Sequence, residues 1–230
     1  MDDFFSRTEN LIGNNALLKI RNSKVAVFGL GGVGGYTVEA LVRAGVGNLI
    51  LIDSDNVEPS NLNRQIIATR ESLGKAKTLA AKERALSINP EVNIEEKTLF
   101  FSEDTVSEVD FSGVDYIADA IDSVKSKVFL IKFAHDRNIP IISCMGAGNK
   151  LDPTRFKISS ISKTEVCPLA KAVRKELKKH GIFDTQVVWS DELPVNVQKD
   201  VRTPASISFV PSAAGLLLAY KIIIDIIKES

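Results

Sequence analysis

Val25-Ala-Val-Phe-Gly-Leu-Gly-Gly-Val-Gly-Gly35 decides how the rest of the chain is read, because an apolar run breaks into a glycine cluster and then into a helical pattern beginning near Tyr36. That order predicts a strand, a tight turn and a helix N-terminus. Gly29, Gly31 and Gly34 keep the G-x-G-x-x-G spacing. The first glycine suits the turn, the second lets backbone approach a phosphate, and the third lets helix pack closely on strand. Free N–H groups and the helix dipole favour an anion there. Asp53 closes the next apolar strand, Leu49-Ile-Leu-Ile-Asp53, about twenty residues after the last glycine, where an acid meets ribose hydroxyls. Nucleotide binding is the expectation.

Upstream of the glycine turn, residues 3–22 read as two short helices broken at Asn14 and Asn15, ahead of the strand Lys24–Phe28. Downstream, Val38, Leu41, Val42 and Gly45 keep helical spacing, and Gly45 and Gly47 end that helix. A polar segment, 54–72, separates Asp53 from a helix expected over 73–89, and so long an irregular stretch suggests function. Strand and helix signals then alternate over 92–98, 103–109, 116–119, 125–137 and 139–144. Past Gly146, strands over 156–161 and 186–190 flank a helix over 168–180, residues 191–203 read as a mobile loop, and a short strand over 207–210 leads through Pro211 into a helix over 212–228. The succession predicts an α/β fold: a Rossmann-like, mostly parallel sheet with helices on both faces, extended by additional C-terminal strands and helices. Residues 1–230 read as one domain, with a nucleotide-binding half over 1–150 and a substrate side over 151–230.

The 29 Lys and Arg balance the 29 Asp and Glu, so net charge singles out no partner. Cys144 and Cys167 are too few for a disulfide framework or a four-cysteine zinc site and suit a reducing compartment, the cytoplasm being the simplest address. Residues 1–7 begin acidic and lack the basic region and apolar core of a secretory signal. Residues 213–227 are interrupted by Lys221 and Asp225 and are short for a bilayer span, so a buried C-terminal helix is expected rather than a membrane segment.

A glycine loop with a ribose-binding acid serves a nicotinamide-dependent oxidoreductase as well as any other nucleotide enzyme. The residues after Asp53 argue against an oxidoreductase. The run Asp53-Ser-Asp-Asn-Val-Glu-Pro-Ser-Asn-Leu-Asn-Arg-Gln65, then Gly74-Lys-Ala-Lys77, sets Asn61, Arg64 and Lys77 near a nucleotide's phosphate end. Cations so placed suit transfer at phosphorus.

Together, Gly29-Leu-Gly-Gly-Val-Gly34, Asp53, Asn61-Leu-Asn-Arg-Gln65, Lys77 and Asp119-Ala-Ile-Asp122 resemble the ubiquitin-activating-enzyme-like (ThiF/MoeB/HesA) adenylating superfamily. Within it, Ser143-Cys-Met-Gly-Ala-Gly-Asn-Lys-Leu-Asp-Pro-Thr-Arg-Phe156, Lys163-Thr-Glu-Val-Cys-Pro-Leu-Ala-Lys171 and Ser208-Phe-Val-Pro-Ser-Ala-Ala-Gly215 are similar to the tRNA threonylcarbamoyladenosine dehydratases. The resemblance spans nearly the whole chain. It implies that Gly29, Gly31, Gly32, Gly34, Asp53 and Asp55 hold ATP, with Asp53 on the ribose, that Asn61, Arg64 and Lys77 contact or orient the phosphates, and that Asp122 ligates magnesium. Arg7 matches an arginine such enzymes send across a homodimer interface to the partner's ATP. The implied chemistry joins the carboxylate of the threonylcarbamoyl group to AMP, releases pyrophosphate, and lets an atom of the neighbouring carbamoyl close a ring, for a net loss of water from the tRNA nucleoside. Sulfur-transfer proteins join the implied partners.

The superfamily also holds enzymes that activate the C-terminus of a small sulfur-carrier or ubiquitin-like protein. This chain lacks the paired C-x-x-C cysteines of the structural zinc in many of those relatives, so no structural zinc is expected. A non-catalytic nucleotide-binding scaffold is the remaining alternative, and Arg64, Lys77 and Asp122 argue against it. Cys144 reads as core, and Cys167, beside Pro168 at a helix N-terminus, as a capping or packing residue. Asp119 reads as the end of a strand, with Asp122 just beyond the sheet edge where ligands bind. On the helix over 168–180, Lys171, Arg174, Lys175 and Lys178 share one side and Leu169, Val173 and Leu177 another. With a tRNA substrate implied, the cationic side is the expected tRNA-binding face.

Overall fold

A computed structural model describes residues 3–195 and 204–228. Two short helices, α1 (Ser6–Ile12) and α2 (Asn14–Asn22), precede strand β1 (Lys24–Phe28). The chain continues through α3 (Gly34–Ala44), β2 (Asn48–Ile52), α4 (Lys77–Ile88), β3 (Asn93–Lys97), β4 (Tyr116–Asp119), α5 (Val124–Asp136) and β5 (Ile141–Cys144). It closes with β6 (Phe156–Ser160), α6 (Pro168–Lys178), β7 (Gln186–Ser190) and α7 (Phe209–Lys228). The strands form one seven-stranded sheet in the order β3-β2-β1-β4-β5-β7-β6. Every pairing is parallel except that of β6 with β7.

Strands buried on both faces read as unbroken apolar runs because each successive side chain enters a different core. In β1, Val25 and Val27 join the core under α3 and α7, whereas Ala26 and Phe28 join the core under α5. The second core is rich in phenylalanine: Phe28 meets Phe101 edge-on with ring centroids 4.6 Å apart, and Phe111 and Phe133 lie 4.4 Å apart. A third cluster joins Ile131 of α5 to Ala170, Val173 and Leu177 of α6 and to Val187 and Trp189 of β7. The apolar stripe predicted for α6 is therefore its packing face.

By length and composition α7 passes for a membrane span, yet Val210, Ala214, Leu218, Ile222 and Ile226 are buried in the core shared with α3. Thr37 Oγ1 of α3 donates to the Gly215 carbonyl of α7 across that contact. The buried C-terminal helix expected from the sequence is thus found.

The break between the first two helices falls at Gly13, with φ 83°, and Asn14 and Asn15 open α2 instead of interrupting it. Three further expected elements differ. Residues 103–109 hold only a 3-10 turn, Val106–Glu108, because the Thr105 hydroxyl accepts from Ser102 N and donates to Phe100 O, competing with helical bonding. The helix expected over 73–89 begins at Lys77, since Gly74 has φ 82° and its N–H is spent on Val57 O. No strand forms over 207–210: α7 starts at Phe209, and Pro211 sits in its first turn, where its missing N–H costs nothing. The mobile loop expected over 191–203 is described only to residue 195, and 196–203, with Lys199 and Arg202, lie outside the described residues.

Candidate active site

Strand order reverses between β1 and β4, and open α/β sheets bind ligands at the carboxyl ends of the strands beside such a reversal. A cavity of about 800 Å³ opens there, walled by the chain that leaves β1, β2, β4 and β5 and by the N-terminus of α6. Its volume lies in the range of small-molecule and cofactor sites.

The glycine turn forms one wall. Gly29 has φ 84°, and a Cβ there would stand 2.7 Å from Ala120 O; a Cβ on Gly34 would stand 1.7 Å from Gly29 O. Only glycine at both places lets α3 start against the end of β1. Gly29, Gly31 and Gly32 line the cavity, whereas Gly34 serves the packing.

Asp53 follows β2 and crosses to the glycine turn. Its Oδ2 accepts from Leu30 N at 2.6 Å and its Oδ1 from Asp55 N at 2.8 Å. Burial raises its pKa above the ordinary aspartate value, while Lys77 and the two N–H donors pull it down. Lys77, buried at the start of α4, places Nζ 2.7 Å from Asp55 Oδ2 and 3.9 Å from Asp53 Oδ1. Asn61 is buried, and its Oδ1 accepts from Glu58 N at 3.0 Å, fixing the turn that carries Arg64. Arg64 Nη1 donates to Ser60 O at 2.8 Å and Asn63 Oδ1 at 2.9 Å on the cavity rim.

Asp122 lines the cavity beyond the end of β4, exposed, with no partner among the described residues. These residues include no cluster of three or more His, Cys, Asp or Glu suited to a metal. One unpartnered carboxylate facing a nucleotide-sized cavity fits a hard cation that takes its other oxygens from phosphates and water.

The cavity thus gathers Gly29, Gly31, Gly32, Asp53, Asp55, Asn61, Arg64, Lys77 and Asp122. Arg7 is not among its lining residues and is exposed on α1. On α6, Lys171, Lys175 and Lys178 are exposed. Arg174 is half-buried, and its Nη1 donates at 2.6 Å to both Thr164 O and Thr164 Oγ1, so it clamps the loop before the helix. Cys144 is core, its thiol pushed up to about 12 by burial. Cys167 caps α6, its Sγ accepting from Ala170 N at 3.5 Å, and also lines the cavity.

Sequence reasoning missed three features. Asp119, Lys127 and Ser143 form a wholly buried network: Lys127 Nζ lies 2.8 Å from Asp119 Oδ2 and 3.1 Å from Ser143 Oγ, which donates to Asp119 Oδ2 at 2.5 Å. Asp119 Oδ1 accepts from Ile121 N at 3.0 Å, holding the turn before Asp122. The signal was Lys127 on the apolar face of α5, one turn from Leu130 and Ile131. Gln65 lines the cavity with its Oε1 buried and without a partner among the described residues, an acceptor that a ligand or water would satisfy. Lys150 is the third, a lysine buried in the cavity wall.

A model of the ThiF family matches residues 5–228. The tRNA threonylcarbamoyladenosine dehydratase of Bacillus subtilis is 42% identical over 241 residues, covering 98% of this chain and 95% of that protein. The crystal structure of Escherichia coli tRNA N6-threonylcarbamoyladenosine dehydratase, TcdA, in complex with AMP superposes with a TM-score of 0.91 at 33% identity, over 98% of this chain and 96% of that one. The complex of TcdA with ATP gives 0.91 at 33% identity, over 97% and 93%.

Proposed function

The chain belongs to the ThiF family, and from that premise we propose that it dehydrates N6-threonylcarbamoyladenosine in tRNA at the expense of ATP. What carries this reading is the convergence of the glycine turn, Asp53, Arg64, Lys77 and Asp122 on one cavity, in a chain similar to dehydratases over nearly its whole length.

A carboxylate is a poor electrophile at neutral pH. In the proposed reaction its oxygen attacks the α-phosphorus of ATP, the bond to pyrophosphate breaks, and an acyl adenylate results. An atom of the neighbouring carbamoyl then attacks the acyl carbon, giving up a proton as AMP leaves with the former carboxylate oxygen. The net change is loss of water. Asp53 holds the ribose, the N–H groups at the start of α3 meet the phosphates, and Arg64 and Lys77 balance charge as pyrophosphate departs. Magnesium, held by Asp122, would supply further charge neutralisation when bound. The protein's own share is positioning. In this reading the whole chain is one adenylating unit acting in the cytoplasm, with the nucleotide on the 1–150 side and tRNA on the 151–230 side.

The decisive assay incubates protein, ATP and magnesium with tRNA bearing threonylcarbamoyladenosine and follows the nucleoside by mass spectrometry. A product lighter by one water is expected, and an unchanged nucleoside with protein that binds ATP would sink the reading.

A homodimer with Arg7 completing the partner's site is the proposed assembly. Leu11, on the same helix, is 85% exposed, an apolar side chain that a second subunit would cover. Arg7→Ala and Asp122→Asn should each be inactive alone. Mixed and re-paired, they should recover about a quarter of wild-type activity, because half of the dimers carry one intact site of two. Exchange without recovery would remove Arg7 from the reaction.

For tRNA, the exposed cations of α6 are the proposed contact, and Arg174 is committed to Thr164. Lys171→Ala, Lys175→Ala and Lys178→Ala combined should weaken tRNA binding and flatten its dependence on salt by roughly 0.7 to 0.9 logarithmic units for each phosphate no longer neutralised. Calorimetric ATP affinity should stay as it was. An unaltered slope would return this face to solvated surface.

A further inference from the structure

We propose that Lys150 is the cation that receives the carboxylate of the modified nucleoside, in an anion subsite on the β5–β7 side of the cavity; this deepens the functional reading above and rests on it. The glycine turn and Asp53 follow β1 and β2, whereas Lys150 follows β5 and Glu192 follows β7. In the sheet β5 is two places from β1, roughly 10 Å away. The cavity therefore reaches from the nucleotide's side to a second region with its own charge.

Lys150 is only 4% exposed, and its Nζ donates to Glu192 O at 2.6 Å. An ammonium has three N–H donors, and no acceptor for the other two is found among the described residues. The neighbouring carboxylate does not pair with it: Glu192 Oε1 accepts from Leu151 N at 2.9 Å and Oε2 from Asp152 N at 3.1 Å. Burial lowers the Lys150 pKa, and the Glu192 and Asp191 charges pull it back only in part, with no carboxylate oxygen in contact with the ammonium. An arriving anion offsets the remainder.

The loop is built to hold its lysine still. Val195 N donates to Asn149 O, Asn149 N to Ala205 O, and Ala205 N to Asn149 Oδ1, each at 2.7 Å. The Glu192 carboxylate fixes the two residues after Lys150. The same wall carries Cys167, Pro168 and Leu169 at the N-terminus of α6, whose dipole adds positive potential.

Lysine suits this task better than arginine. Its point charge binds one carboxylate oxygen and leaves the other free to attack phosphorus, whereas a guanidinium fork clamps both.

The test compares affinity for tRNA bearing threonylcarbamoyladenosine with that for the same tRNA lacking the modification, together with kcat and KM, in wild type, Lys150→Met and Lys150→Arg. Wild type should prefer the modified tRNA. Lys150→Met should lose about tenfold or more of that preference while binding unmodified tRNA and ATP as before, an effect that a merely structural lysine would not produce. Lys150→Arg, which keeps the charge if the Met variant fails to fold, should retain the preference and KM but lose kcat. Undiminished preference in Lys150→Met, or unchanged kcat in Lys150→Arg, would overturn the assignment. A wild type that binds ATP but leaves the modified tRNA unchanged would overturn both this assignment and the functional reading.

Discussion

Asp122→Asn is expected to lower turnover by about 100-fold or more while the protein stays folded and still binds ATP, the size of loss that follows removal of one fixed charge stabilising a transition state. The amide keeps the shape of the side chain and loses the charge that attracts a hard cation. Because Asp122 is exposed and has no partner among the described residues, its replacement leaves no buried group unsatisfied. Stability should change by less than about 0.5 kcal/mol, as for other surface substitutions. The measurement is kcat on threonylcarbamoyladenosine-bearing tRNA across a magnesium series, with ATP affinity by calorimetry. Wild-type turnover at limiting magnesium would show that another group holds the ion.

The largest effect on stability is expected at Lys127. Its ammonium and the Asp119 carboxylate are both fully buried, 2.8 Å apart, with Ser143 bridging them. Such a pair adds little compared with apolar residues of the same volume, but removing one partner strands the other charge, at a cost of about 3–5 kcal/mol. Lys127→Met should therefore lower the melting temperature by about 6–20 °C for a chain of this length. Asp119→Asn added to Lys127→Met should recover much of the loss, since the amide oxygen still accepts from Ile121 N and no charge remains buried. Urea unfolding of both variants decides the matter: a loss below about 0.5 kcal/mol in Lys127→Met would mean that the charge is relieved by other means. Asp119 also holds the turn before Asp122, so the single variant should lose activity even below its melting point.

The parts of the candidate site that were legible in the sequence are those a contiguous stretch specifies. A glycine turn announces itself because its glycines fall at a fixed spacing within six residues, and the structure gives the reason at Gly29 and Gly34, where a Cβ would collide with Ala120 O and Gly29 O. Asp53 and Asp122 were readable because an apolar strand ends beside each, and strand ends are where this architecture opens to ligands. The segment 103–109 was misread for the opposite reason: one threonine side chain bonding to nearby backbone outweighed a helical pattern.

Neighbouring residues were enough to specify the α/β class and the glycine turn and strand-end aspartate that line the cavity, since local backbone demands and apolar periodicity are written in contiguous sequence. What the charges do once buried depended on packing between distant elements. That packing set Lys127 against Asp119 and Ser143 from three separate elements, turned Arg174 from the helix surface onto Thr164, and left Lys150 in the cavity wall with its neighbouring carboxylate already spent on backbone. A charge acquires its role from the groups that desolvate and pair with it, and those groups meet only when distant parts of the chain pack together.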